Sequence, residues 1–471
     1  MTVTECCYAV GFIFCALFAV VKWNTVRYSR KGMPPGSLGY PFIGETLPFL
    51  KQGPLFIKRG RSRYGNLFKT HALGSPVVIS MDPDVNRYIL LNEAKGLVPG
   101  YPDSMRKILG TNIAEVHGAV HKRVRGSLLS LIGPMAVKDR LLPEVDEFMR
   151  SFLDNWDGKT VDLQEKTVEI AFFSSLKAIV EDEPNSFLES FKAIFDKMAV
   201  GTLSLPFKIP GTEFYRGMKA REKLLTLLRD LIGKRRASSA THDDFLEHLI
   251  KTENVNQKLD DDEIIEQIIT LLYSGYETVS TTTMMIIKYL NDNPSFLQEA
   301  EHFAIMQKKL PGERINWDDY KNMSQTRAVI LETMRLASVI SGVMRRTTND
   351  IELNANIDGA YHLLGFIIPK GWRVYVYTRE INFDPILYEE PSTFNPRRWL
   401  EKGLETHNHN MLFGAGGRVC PGKELGLVKI SLFIHYFVTK YRWEEAEGNK
   451  KLMKFPRVLA PEGLHMKITK Y

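Results

Sequence analysis

Apolar residues recur along most of this chain at spacings of three, four and seven, and strict alternation is confined to short stretches. The helical spacing predicts helices over Pro143 to Trp156, Phe187 to Gly201, Gly217 to Ser238, Asp318 to Ser338 and Lys423 to Tyr441. A longer apolar helix is predicted from Asp260, where Asp260 and Glu263 have the spacing of a capping box, to Asn293 just before Pro294. Alternating β-branched and aromatic residues predict strands at Ser75 to Asp82 and Trp372 to Thr378. The tract Arg235 to Asp243, rich in Ser, Ala and Thr, reads as an exposed loop. The expected fold is therefore mainly α, with a smaller β part near the N-terminus and around Arg345.

The first 31 residues differ in kind from the rest. Cys6 to Val21 is an almost unbroken apolar run, followed by Lys22, Arg27, Arg30 and Lys31, then by Met33, Pro34, Pro35 and Gly36. This order predicts a membrane anchor over 1–31, a proline-rich hinge over 32–36 and the main domain over 37–471. The run is shorter than the roughly 20 residues usual for spanning, so a signal peptide is the competing reading. No small-residue cleavage site follows it, and Trp23 suits an interface. The cations on its C-terminal side would hold the body of the protein in the cytosol, the anchor lying in the endoplasmic reticulum.

Of the 4 cysteines, Cys6, Cys7 and Cys15 lie in the anchor, leaving Cys420 alone in the body with no disulfide partner. A reducing compartment follows. The net charge of +7 comes without an aromatic-interleaved basic tract, so nucleic acid is not an expected partner. It is compatible with an acidic electron donor and with anionic lipid.

Cys420 stands in FGAGGRVCPG, Phe413 to Gly422, directly before the predicted helix that opens at Lys423. Glycines let backbone amides approach a flat ligand, and a helix N-terminus favours an anion. A single thiolate so placed suits haem iron held through sulfur, with Cys420 as the metal ligand, Arg418 placed for a propionate and Phe413 against the ring. The plainer reading is a small buried Cys in a turn before a helix.

This stretch, in its order and spacing, resembles the haem-binding signature of the cytochrome P450 family, and the likeness extends from about Gly32 to the C-terminus. Three further motifs carry it. Glu332 and Arg335 in LETMRL are one helical turn apart, and Arg398 follows in FNPRRW; the resemblance implies a buried network of the three beneath the haem loop. On the long helix, Ser274, Gly275, Tyr276, Glu277 and Thr278 fit the pattern of small residue, glycine, any residue, acid and threonine. The resemblance implies that Ser274 and Gly275 leave room for dioxygen and that Glu277 and Thr278 relay protons to it. His121 and Arg125 in HKRVRGSLLSL, with Arg345 in GVMRRTT, match the family's propionate-binding positions. Alone, the first two would read as part of a basic solvated helix face.

The family implies a fold with haem between the long helix and the Cys-loop helix. It also implies monooxygenase activity with haem b and O2, and electrons from NADPH through NADPH-cytochrome P450 reductase. The chain departs from the pattern at Ala355 to Leu364, ANIDGAYHLL, an insertion where a tight hairpin is expected. Loop extensions cost little closure entropy, so the fold can accept it.

Ile340, Val343, Met344, Leu271, Leu272 and Tyr276 read as apolar pocket lining. The wording of NRYILLNEAKGLVPGYP, LLYSGYETVSTTTMM, VYVYTREIN and HYFVTKYRWEE is similar to the plant brassinosteroid-6-oxidase group. That resemblance implies a steroid substrate oxidised at C6, 6-deoxocastasterone giving castasterone. A relative acting on another sterol carbon or a diterpenoid would share these motifs, as would a non-catalytic haem-bearing steroid-binding protein.

Overall fold

The computed structural model describes residues 22–471 apart from 182, 241, 253, 255–257, 297–298, 311, 358–359 and 450; at 299–300, 354–357 and 360–364 it describes the backbone alone. The apolar run expected as an anchor lies outside the described residues. Among those described, no helix is long and apolar enough to cross a membrane. The chain divides into two compact units, one running to Pro102 and including Ser341–Ile381, the other comprising Asp103–Ile340 and Asn382–Tyr471.

The first unit holds five strands in one sheet: β1 (Leu67–Ala72), β2 (Ser75–Ser80), β3 (Leu97–Pro99), β5 (Gly342–Thr347) and β8 (Arg373–Tyr377), in the order β1-β2-β8-β5-β3. Only β2 and β8 pair in parallel. Consecutive residues of β8 are all buried, so both faces of the strand are covered, and the apolar and aromatic run at 374–377 follows from that. Pro34 and Pro35 lie along the sheet edge, their carbonyls accepting from the Lys69 ammonium (2.7 Å) and backbone N–H (2.8 Å). A separate hairpin joins β6 (Ile351–Ile357) to β7 (Ala360–Ile368). The insertion at 355–364 lengthens these strands beyond a register break between Leu353 and Asn354, and a bulge of this kind lets a hairpin bend without ending.

The second unit is built on helices α1 (Gly118–Ile132), α2 (Leu142–Phe152), α3 (Leu163–Ile179), α4 (Asn185–Thr202), α5 (Glu213–Ala237), α6 (Asp261–Asp292), α7 (Ser324–Ala337) and α8 (Lys423–Lys440). A small sheet of β4 (Thr160–Asp162), β10 (His465–Lys470) and β9 (Tyr441–Glu445) completes it. The capping box is present: Asp260 accepts from the Glu263 N–H (2.8 Å) and Glu263 from the Asp260 N–H (3.1 Å). Ile264, Ile265, Ile268, Ile269, Leu272, Ile286 and Ile287 of α6 are all fully buried. A helix apolar on this many faces belongs inside the protein, and α3 packs along it while α4 and α5 pack on each other.

Two expectations change. The helix predicted over 318–338 is two, Trp317–Asn322 and α7, with Met323 between them at φ −78°, ψ 56°. The Glu301 carboxylate takes the N–H groups of Gln325 and Thr326 (2.9 and 3.0 Å), a cap supplied from elsewhere in the chain that lets a new helix start there. The tract from Arg235 is not all exposed loop: α5 continues to Ala237 and Arg235 is buried in a two-pronged pair with Asp244 (3.0 and 2.6 Å).

Candidate active site

The base of the site is one buried carboxylate. Glu332 on α7 accepts from Arg335 Nε (2.9 Å) and Nη2 (2.8 Å), Arg398 Nε (3.2 Å), Trp399 Nε1 (2.9 Å) and the Asn395 backbone N–H (2.9 Å). Glu332 and Arg335 are wholly buried. The guanidinium groups reach outward to the carbonyls of Asn382 (2.6 Å), Pro391 (2.7 Å) and Glu389 (2.6 Å). Each charge is thus surrounded by partners, the condition under which buried ions are tolerated. The expected grouping of Glu332, Arg335 and Arg398 is present; Trp399 and Asn395 complete it.

The Cys loop lies beside this network. Gly414 and Gly416 have φ of 77° and 68°, a left-handed backbone that side chains oppose, and the turn they allow brings the Cys420 N–H onto the Phe413 carbonyl (2.8 Å). Phe413 is half-buried, with the Lys423 ammonium 5.1 Å from its ring centre. Lys423 and Arg327 converge on Glu405, and the hydrogen bonds from Arg327 and then Lys423 hold its carboxyl low, at about 2, against the rise from burial.

Burial pushes the Cys420 thiol up, and the Gly422 N–H, Arg125 and Lys423 pull it down. Yet the Cys420 side chain is exposed. Ser274 likewise is exposed although it sits near the middle of α6, between the buried Tyr273 and Val279. An exposed thiol with an amide and two cations around it is a donor set that fits haem iron.

Arg125, on α1, is close enough to Cys420 and Arg418 for their charges to act on it, in opposite senses, after the lowering by burial. His121 is buried one turn away on the same helix. Arg418 donates to the carbonyls of Ile113 (3.1 Å) and Val116 (2.5 Å), fastening the 110–116 segment to the Cys loop. Arg345 is in the other unit, buried on β5 and donating to the Met344 carbonyl (3.1 Å).

On α6 the Thr278 hydroxyl donates to the Ser274 carbonyl (2.7 Å). Glu277 pairs with Arg457 (2.5 Å); burial pushes its carboxyl up and Arg457 opposes the rise. Nothing local in the sequence pointed to Arg457, which lies 180 residues away. α6 meets α8 where Val279 faces Gly426. The missing side chain of Gly275 points at Ser175 of α3, whose hydroxyl would be 3.3 Å from a Cβ, so this glycine serves close helix packing. Leu272 is wholly buried and Tyr276 packs with Phe172 and Phe195, away from the face shared by Ser274 and Thr278. At about 100° per residue Tyr276 lies nearly opposite Ser274, which the pocket-lining expectation overlooked.

Comparison with known proteins agrees with this architecture. Residues 34–468 match the family model Cytochrome P450. The chain is 54% identical over 462 residues to Cytochrome P450 85A of Phaseolus vulgaris, covering 98% of this chain and 97% of the relative. It is 55% identical over 460 residues to Cytochrome P450 85A1 of Solanum lycopersicum, covering 97% and 96%. Cytochrome P450 720B2 of Pinus taeda is 32% identical over 472 residues, covering 96% and 94%. The solved structure of retinoic acid-bound cyanobacterial CYP120A1 superposes with a TM-score of 0.81 at 27% identity, covering 93% of this chain and 99% of that one. The chain belongs to the cytochrome P450 family. It is accordingly a monooxygenase that works with haem iron and takes electrons from a reductase.

Proposed function

We propose that this chain oxidises C6 of 6-deoxo brassinosteroids, converting 6-deoxocastasterone to castasterone. Each round consumes O2, two electrons and two protons and releases water. The first turns the C6 methylene into a secondary alcohol, and the second removes the remaining carbinol hydrogens to give the ketone and a further water. The observation that carries the reading is near full-length identity of 54–55% to the 85A relatives, against 32% for the 720B2 protein, together with the segments similar to the brassinosteroid-6-oxidase group.

Haem held through sulfur supplies the reduction of dioxygen and insertion of one oxygen atom into a C–H bond. In this reading Cys420 is the iron ligand, its thiolate favoured by the Gly422 amide, Arg125 and Lys423. Arg125, Arg418 and His121 would meet the propionates, and Phe413 would pack beside the ring. Thr278 holds a proton donor at the reacting oxygen, and Glu277 moves protons to it by exchanging its pairing with Arg457. The residues 1–31 anchor the protein in the endoplasmic reticulum membrane, residues 32–36 form the hinge that follows, and the body faces the cytosol, where NADPH-cytochrome P450 reductase docks.

The test is turnover of isotopically labelled 6-deoxocastasterone by the full chain with reductase and NADPH, with products identified by mass spectrometry. A C6 alcohol followed by castasterone is expected. Oxygen placed on another carbon, preference for a diterpenoid, or steroid binding without NADPH-coupled product contradicts the proposal.

A further inference from the structure

The end of α5 carries the run Lys234, Arg235, Arg236, Ala237, Ser238 and Ser239, and folding treats its two arginines differently. Arg235 is buried, its guanidinium held by both Asp244 carboxylate oxygens (3.0 and 2.6 Å). Asp244 in turn caps the short helix Phe245–Lys251 by accepting from the Glu247 N–H (3.0 Å). Arg236, one residue on, is half exposed, and it pairs with the equally exposed Asp261 at the first position of α6 (2.5 Å).

The serines divide in the same way. The Ser238 hydroxyl accepts from the Ala240 N–H (3.1 Å), whereas Ser239 is exposed and its hydroxyl makes no hydrogen bond among the described residues. α5 ends at Ala237, and Ser238 is already extended at φ −82°, ψ 142°. The last turn of a helix opens readily. Drawing residues 236 to 239 out straight therefore gives up a frayed end and one surface ion pair, a factor of about five or less for the pair. Drawing out Arg235 as well breaks a buried pair, a factor of about a hundred or more.

We propose that Ser239 is a phosphorylation site for a serine kinase that selects basic substrates, and that the kinase reads it through Arg236. Such a kinase holds an arginine three residues before the acceptor serine on its own carboxylates, with the chain between them extended. Arg236 stands at that spacing from Ser239, and Arg235 at that spacing from Ser238. By sequence alone Ser238 is the better acceptor, because both arginines precede it at the second and third positions. The fold reverses the order by withholding Arg235. In the transfer the Ser239 Oγ bonds to the γ-phosphorus of ATP, the bond from that phosphorus to the bridging oxygen breaks to release ADP, and the hydroxyl proton passes to the kinase's catalytic carboxylate. The phosphate brings a charge of about −1.5 to −2 close to Arg236. It competes with Asp261 for that guanidinium, so the modification exchanges a tie between α5 and α6 for one within the linker.

The experiment incubates the haem-loaded full chain, and separately a synthetic peptide of residues 230–240, with ATP and the catalytic subunit of cyclic-AMP-dependent protein kinase. Mass spectrometry locates the phosphate at early times. In the peptide, where both arginines are free, Ser238 is expected to lead. In the folded chain Ser239 is expected to exceed Ser238 by about tenfold or more, and Arg236→Gln to remove most of that phosphate while haem content stays unchanged. Asp244→Asn, which keeps the helix cap but releases Arg235, is expected to return Ser238 to the lead; if it does not yield holoprotein, the comparison of folded chain with peptide decides. Ser238 leading in the folded wild type, or phosphate on neither serine of the folded chain while the peptide is modified, overturns the proposal. So does Ser239 phosphate that survives Arg236→Gln, or a Ser238 that stays unmodified in folded Asp244→Asn.

Discussion

Glu332→Gln keeps the volume of the buried hub and changes its chemistry. The carboxylate receives five N–H groups, three on Oε1 (Arg335 Nη2, Arg398 Nε and the Asn395 N–H) and two on Oε2 (Arg335 Nε and Trp399 Nε1). An amide nitrogen placed at Oε2 faces two donors with a donor; placed at Oε1 it faces three. Either orientation loses at least two bonds and leaves two buried guanidinium groups without their counter-charge. Breaking a buried pair in this way costs about 3 to 5 kcal/mol, a large share of the roughly 5 to 15 kcal/mol that holds a typical domain folded. Trp399→Phe removes a single donor and is expected to cost about 2 kcal/mol. Urea unfolding of the haem-loaded protein, with haem occupancy per chain as a second measure, compares the variants. The reasoning is refuted if Glu332→Gln lies within about 1 kcal/mol of wild type, or if Trp399→Phe is the more damaging change.

Three further outcomes follow from the site and its surroundings. Thr278→Ala should retain haem and steroid binding yet divert NADPH electrons to hydrogen peroxide; product formation that remains fully coupled to NADPH use counts against its role in proton delivery. Burial raises the Glu277 carboxyl and Arg457 opposes the rise, so in Arg457→Leu the inflection that Glu277 contributes to the turnover–pH profile moves to higher pH. An unmoved inflection contradicts the pairing. Lys429 is buried on α8, donates to the Ser175 hydroxyl (2.7 Å) and has its ammonium lowered by burial to about 7, with Glu144 opposing. Its folded-state value lies below its unfolded one, so between about pH 7 and 10 the unfolded chain binds the extra proton and stability rises with pH. Lys429→Met should flatten that rise when unfolding is measured across the range, and an unchanged slope would show that the amine does not titrate there.

What the sequence made legible was whatever its neighbours in the chain determine. The start of α6 was readable because Asp260 and Glu263 cap each other three residues apart, and its end because Pro294 follows closely. The Glu332 and Arg335 pair was readable for the same reason. Arg398 and the Cys loop needed a family resemblance to be connected to it.

The parts that escaped depend on contacts closed only by folding. The break at Met323 is held by Glu301 on another helix, so periodicity alone ran the two helices together. Arg235 looked like loop because its partner Asp244 lies beyond the tract that defined the loop. Arg457 and Trp399 carry no local signature of their roles, since an arginine near the C-terminus and a tryptophan after FNPRR fit many surfaces equally well. Tyr276 reads as pocket lining from its apolar ring on the long helix, but its angle on that helix turns it into an aromatic cluster with Phe172 and Phe195.

The central claim is that the Cys420 sulfur holds the haem iron. The carbon monoxide difference spectrum of the reduced protein tests it most directly, measured on wild type and on Cys420→Ser at equal haem content. The account predicts the band of thiolate-ligated haem in wild type and its loss in the variant. An identical band in both, or wild-type haem whose spectrum reports nitrogen ligation alone, would contradict it.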